Sequence, residues 1–344
     1  MASSTSTQRK IFLIYIPCHV DYERARENAL KIRNQFAEIQ DSRVGRAFDL
    51  RIIISVNGIN LSPEHLTHLT NSADELIYFP ESLGADININ QGFLQALKIE
   101  PDYFWILSAN EFLVKGSFNF LLEVILENDG SDLYVTNSKK RSATYETSNV
   151  FTDIPDGSGY GLISSVIYNY KSTHRFYSAG PRFAWTGWGQ LAVLQTACNA
   201  LGKISVTEFP YELVYEKPFT DVGNNPVETE FEFVRGAYAH SFFGMAILIF
   251  AIFPRDKNMR DRILFAWLRK NWFRISYFNL GVSRKFDANY PQFDPIWIRK
   301  ISIAILLFSG FLPFLLTCLG SLRNIEKLRK IPAAVSIKKN VYRK

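Results

Sequence analysis

Lys10 to Pro17 (KIFLIYIP) is an almost unbroken apolar run of one strand's length. A short run that is apolar at every position is what a strand buried on both faces of a parallel sheet requires. From Asp21 to Ile39 the period changes, with Ala25, Ala29, Ile32 and Phe36 at helical spacing. Leu50–Val56 (LRIIISV) predicts a second strand that closes on the turn signal Asn57-Gly58. Further along, Leu76–Phe79, Tyr103–Leu107, Asp132–Thr136 and Gly161–Tyr168 predict strands. Gln91–Lys98, Phe118–Glu127 and Trp188–Leu201 predict helices, the last stopped by Gly202. Lys139–Ser158 is mostly polar and reads as a candidate mobile loop over a site. Strands and helices in this alternation predict an α/β fold with a doubly wound, mostly parallel sheet. Ligands of such sheets bind beyond the carboxyl ends of the strands. Those ends are Pro17–Asp21, Val56–Asn60, Pro80–Asn90 and Ser108–Glu111.

The texture changes after Arg235, which divides the chain into 1–235 and 236–344. Gly236–Pro254 has no Asp, Glu, Lys or Arg, and Arg255–Arg274 is basic and amphipathic. Ile301–Leu322 has no ionisable side chain except Cys318. It reaches the roughly 20 apolar residues that span a bilayer, but Gly310 and Pro313 interrupt it. Basic residues flank it on both sides, which favours a helical region attached in the membrane plane or re-entrant over a single crossing or a core helix. Charge sharpens the division. Residues 236–344 carry 19 Lys+Arg against 5 Asp+Glu, whereas the other 235 carry 20 against 28. Cations beside long apolar runs suit an anionic lipid surface; nucleic acid, the competing polyanion, would call for a polar basic stripe. Cys18, Cys198 and Cys318 lie far apart without metal-ligand spacing, as expected of thiols in a reducing compartment. The segment MASSTSTQRK has no signal-peptide pattern, so the expected location is the cytoplasmic face of a membrane.

No Walker A, no Gly-x-Gly-x-x-Gly after the first strand and no Gly-x-Ser-x-Gly elbow is present. Four stretches carry chemistry instead: Ile14–Val20 (IYIPCHV), Ile53–Gly58 (IISVNG), Leu83–Ala96 (LGADININQGFLQA) and Trp105–Glu111 (WILSANE). In this order the chain resembles glycosyltransferase family 2, of the GT-A fold, in the branch that builds bacterial surface polysaccharides with abequosyl-type transferases. Gly161–Asn169 and Gly187–Gly202 resemble its acceptor-side strand and helix. The resemblance implies a GT-A-like sheet and an inverting transfer of a sugar from a nucleotide-sugar donor to a lipid-linked saccharide. It places Pro17, His19, Asn57, Asp86, Asn90 and Asn110 at the donor, and Trp185, Trp188 and Gln190 at the acceptor.

A divalent metal, Mn or Mg, would neutralise the leaving diphosphate. The family's acidic triplet corresponds here to Ala109-Asn110-Glu111, which leaves Glu111 as its charged ligand. Inversion also needs a general base. The stretch matching the family's acidic pair, Gly187-Trp188-Gly189-Gln190-Leu191, has no carboxylate, so Asp153 and Asp156 are the nearest alternatives by chain order. Plainer roles stay open: Asn57-Gly58 as a turn, Ser108 or Asn110 capping a helical turn, Asn90 capping the following helix, and the tryptophans as packing. So does a catalytically degenerate, transferase-like scaffold.

Overall fold

A computed structural model describes residues 8–19, 21–136, 143–151, 163–184, 188–209, 213–216, 245, 248–253, 256, 258–263 and 335–338. Asp153, Asp156, Trp185 and the apolar run 301–322 lie outside the described residues. The chain forms two compact units. The first comprises Met1–Arg182, Gly189–Pro218 and Pro332–Lys344; the second comprises Phe183–Trp188 and Phe219–Ile331.

In chain order the elements are β1 (Lys10–Cys18), α1 (Tyr22–Ile39), α2 (Arg43–Ala47), β2 (Phe48–Asn57), α3 (Pro63–Ser72), β3 (Glu75–Phe79), α4 (Ala85–Ile99), β4 (Tyr103–Ile106), β5 (Glu111–Leu113), α5 (Ser117–Glu127), β6 (Leu133–Val135) and β7 (Ala143–Thr147). There follow β8 (Val166–Asn169), α6 (Tyr170–Thr173), α7 (Ala179–Phe183), α8 (Gly189–Leu201), β9 (Ile204–Glu208), β10 (Val214–Glu216) and β11 (Val335–Lys338). Nine strands form one sheet in the order β11-β3-β2-β1-β4-β8-β6-β9-β7. β3, β2, β1 and β4 run parallel, β8 runs antiparallel between β4 and β6, β9 runs parallel to β6, and β7 and β11 are antiparallel edges. β5 and β10 form a separate antiparallel ribbon.

β1 is central, and its apolar run is explained by burial on both faces. Phe12, Ile14, Ile16 and Cys18 join one core with Ala25, Ala29 and Ile32 of α1 and Phe118, Leu121 and Leu122 of α5. On the other face Tyr15 lies against α4, where a Cβ on Gly92 would come within 2.8 Å of its ring. Phe93, Phe104, Tyr168 and Tyr177 form an aromatic knot there, which seats the antiparallel β8 beside β4.

Three expectations need correction. α4 begins at Ala85, six residues before the predicted Gln91, because Asn88 and Asn90 occupy its core face and hide the helical period. Ala143–Thr147, inside the expected loop, is an edge strand; its polar, mostly exposed side chains lack a strand's apolar alternation. After Ser108 the chain makes a turn and enters β5 where a helical turn was considered. In the second unit Met245, Leu248, Ile249, Phe253 and Ile263 are buried, and Asp256 caps the turn at Met259. Among the described residues no helix is long and apolar enough to cross a membrane.

Candidate functional site

β1 leads through α1 to β2 on one side, while β4 pairs on the other, so the sheet reverses between β1 and β4. In open α/β sheets the standard ligand position is the crevice beyond the carboxyl ends at such a reversal. Its rim consists of Pro17–His19, Ser55–Asn57, Leu83–Asp86 and Leu107–Glu111.

Asn88, 1% exposed, ties the start of α4 to two strand ends. Its Nδ2 donates to the carbonyls of Cys18 (3.1 Å) and Ser55 (3.2 Å). Its Oδ1 accepts from Ser55 Oγ (2.5 Å), and its own carbonyl accepts from Tyr15 Oη (2.8 Å). Asn57 makes a second tie, donating to the Gly84 carbonyl (3.2 Å) and accepting from Leu83 N (2.6 Å). Gly84 precedes the helix at φ +87°, a conformation that favours glycine. The N-cap residue, Gly84, brings no side-chain cap, and the first intrahelical bond runs from Asn88 N to Gly84 O. The preceding amides, Ala85 to Ile87, therefore precede any intrahelical pairing at the crevice, as suits an anion. Asp86 is half-buried among them.

The β4 side is organised around Ser164. Its Oγ accepts from Ser108 N (2.8 Å) and donates to Glu111 Oε2. Its carbonyl accepts from Trp105 Nε1 (2.8 Å) and Thr136 Oγ1 (3.0 Å). From below, Asn28 Nδ2 donates to the carbonyls of Ser108 (3.2 Å) and Glu111 (2.8 Å). Glu111 opens β5, and the ladder to β10 sets Glu216 in register with it.

The crevice thus gathers Pro17, His19, Asn57, Asp86, Asn110 and Glu111. Pro17 is buried in β1, and Asn110 and Glu111 are half-buried. His19 is also half-buried, and burial pushes its imidazole below the ordinary range. Asn90 lies one turn deeper, 2% exposed, inside the helix. Its Nδ2 donates to Asp86 O (2.7 Å), while its Oδ1 faces Gly189, where an added Cβ would lie 2.2 Å away. Gln190 is buried in the first turn of α8, and Trp188 is half-buried in the second unit.

Among the described residues no group of three His, Cys, Asp or Glu side chains could hold a metal ion. Glu111 alone, with one carboxylate oxygen taken by Ser164, does not form a divalent site. Sequence reasoning did not single out Asn28 and Ser164, whose side chains bond to the Ser108–Glu111 turn. Asn28 had a signal, a polar residue at core spacing with Ala25 and Ile32.

No protein-family model and no curated protein sequence matches the chain. Among solved structures it is similar to S. aureus TarS residues 1–349 in complex with UDP-GlcNAc, at 13% identity and TM-score 0.49, over 78% of this chain and 75% of that one. It is similar to the mannosyltransferase PcManGT of Pyrobaculum calidifontis in complex with GDP-Man and Mn2+, at 9% identity and TM-score 0.46, over 94% and 87%. A cytidylyltransferase from Leptospira borgpetersenii serovar Hardjo-bovis is similar at 10% identity and TM-score 0.33, over 61% and 82%.

Proposed function

We propose that this chain is a glycosyltransferase that moves a sugar from a nucleotide-sugar donor to a lipid-linked saccharide at the cytoplasmic face of a membrane, with inversion. The observation that carries the donor half is the double tie of α4. Asn57 and Asn88 fix an uncapped 15-residue helix start beside the β1/β4 reversal. Pre-aimed backbone amides hold a diphosphate and stabilise the charge it gains as the sugar leaves. The sugar-transfer half rests on the resemblance of the four crevice stretches to glycosyltransferase family 2.

In the reaction, the acceptor hydroxyl oxygen bonds to the anomeric carbon, the bond from that carbon to the diphosphate breaks, and a base takes the hydroxyl proton. Asp153 and Asp156 remain the proposed bases. Pro17, His19 and Asn57 line the base and ribose end; Trp185, Trp188 and Gln190 serve the acceptor. The family's metal, Mn or Mg, would shield the diphosphate, with Glu111 as its charged ligand from the triplet. The described residues do not complete that site. The basic, apolar region 236–344 would hold the enzyme on anionic lipid, where such acceptors sit.

One observation favours a non-catalytic scaffold: the first turn of α8 carries Gly189 and the buried Gln190 where the family has acids. One assay separates the readings. Full-length protein with membranes and a panel of UDP-, GDP-, dTDP- and CDP-sugars should release one nucleoside diphosphate in step with labelled acceptor lipid. Tight nucleotide binding without release would leave the scaffold, and no binding would reject both.

A further inference from the structure

We infer that Asn90 is a positioning residue that registers the start of α8 on the donor helix α4. The inference rests on the proposed reaction, in which the start of α4 receives the diphosphate and the first turn of α8 serves the acceptor. Asn90 lies in the second turn of α4 and is 2% exposed. Its Nδ2 donates to the Asp86 carbonyl (2.7 Å), which braces the side chain against the first turn of its own helix. Its Oδ1 faces two glycines. A Cβ on Gly180 of α7 would stand 3.0 Å from that oxygen, and one on Gly189, the first residue of α8, would stand 2.2 Å from it. The Gly189 Cβ would also stand 2.7 Å from the Gly180 carbonyl. Three backbone segments thus meet on one carboxamide, and α7 and α8 come so close because they carry no side chain there. The oxygen they enclose is buried and accepts no hydrogen bond among the described residues. An unpaired buried acceptor costs stability, and asparagine is a poor helix former. Local rules are broken in this way where a site needs it. Here the braced amide sets how closely the acceptor-side helix approaches the helix that holds the leaving group. A misplacement of about 1 Å between reacting groups can lower a rate by about 100-fold.

The test compares Asn90→Ala, Gly189→Ala and the pair with the wild type, all as full-length protein. Labelled lipid formed from UDP-, GDP-, dTDP- and CDP-sugars with membranes reads transfer, titration with UDP and GDP reads the donor site, and urea unfolding reads stability. Asn90→Ala removes the unpaired oxygen, so its folding equilibrium is expected within about threefold of wild type or shifted toward the folded state. Its kcat for transfer should fall about tenfold or more, with donor KM and nucleotide affinity within about threefold. A merely structural role would lower stability, affinity and transfer together. Transfer within about twofold of wild type, or nucleotide affinity lost to the same degree as transfer, would overturn the assignment. Unfolding tests the contact separately. Asn90→Ala clears space for the Gly189 Cβ, so the pair should be destabilised less than the two single changes combined, by about fivefold or more in the folding equilibrium. If the wild type transfers sugar from no donor, the proposed reaction itself has failed. The unfolding cycle then still decides the Asn90–Gly189 link: coupling above about fivefold supports it, and additivity rejects it.

Discussion

Asn88→Ala is the sharpest test of how the crevice is built. The substitution removes four side-chain hydrogen bonds: to the carbonyls of Cys18 and Ser55, from Ser55 Oγ, and a longer one from Tyr15 Oη. The Tyr15 hydroxyl keeps its bond to the Asn88 backbone carbonyl, so the loss is confined to the amide. Each net bond contributes about 0.5–1.5 kcal/mol, and the buried Ser55 hydroxyl, 0% exposed, loses its amide acceptor. The sum is a destabilisation of about 2–4 kcal/mol. Asn88→Asp should do no better: it keeps an acceptor for Ser55 but turns a carboxylate toward two carbonyls. Urea unfolding followed by the fluorescence of the buried Trp105 reads the effect. Isothermal titration with UDP and GDP reads its consequence, a loss of about tenfold or more in affinity as the start of α4 comes free. Stability within about 0.5 kcal/mol of wild type, with affinity unchanged, would refute the claim that this amide builds the site.

Three more outcomes are expected. Gly189→Ala places a Cβ 2.2 Å from Asn90 Oδ1 and 2.7 Å from the Gly180 carbonyl, so it should destabilise the protein by about 1–3 kcal/mol in urea unfolding. His19, depressed by burial, binds its proton more readily in the unfolded chain. Its contribution to stability is full above the unfolded pKa of about 6.5 and is lost as the pH falls from there toward the lower folded value. A His19→Gln variant should lose less stability than wild type between neutral and mildly acidic pH, measured by thermal unfolding. Full-length protein should float with vesicles containing anionic lipid, less so with purely zwitterionic ones. Replacing Arg269, Lys270 and Arg274 with Gln should weaken that flotation; equal flotation on both vesicle types would reject electrostatic attachment.

Much of the fold was legible because the central strands are buried on both faces. KIFLIYIP and LRIIISV have no reason to be apolar at nearly every position except a parallel sheet with helices above and below. The start of α4 was obscured because Asn88 and Asn90 take core positions that a helix normally gives to apolar side chains; Asn88 ties the β1 and β2 ends together from there, and Asn90 bonds back to Asp86 within the helix. β7 was hidden because an edge strand with exposed polar residues carries no alternation. The site was legible only in part. Pro17 and Asn57 do lie at the carboxyl ends of β1 and β2, and Glu111 lies just beyond β4. Ser164 could not be found, because a serine inside GLISSVIY looks like any other strand residue until β8 is folded against β4. Glu216 came beside Glu111 only through the β5–β10 register, a pairing across about a hundred residues that no local pattern encodes.

In the proposed reaction the start of α4 receives the diphosphate of a nucleotide-sugar. The most direct measurement is the structure of the full-length protein with UDP or GDP bound. Phosphate oxygens are expected within hydrogen-bonding distance of the Ala85–Ile87 amides, with the base toward Pro17 and Asn57. A nucleotide bound elsewhere, or no binding of either nucleotide at millimolar concentration, would contradict it.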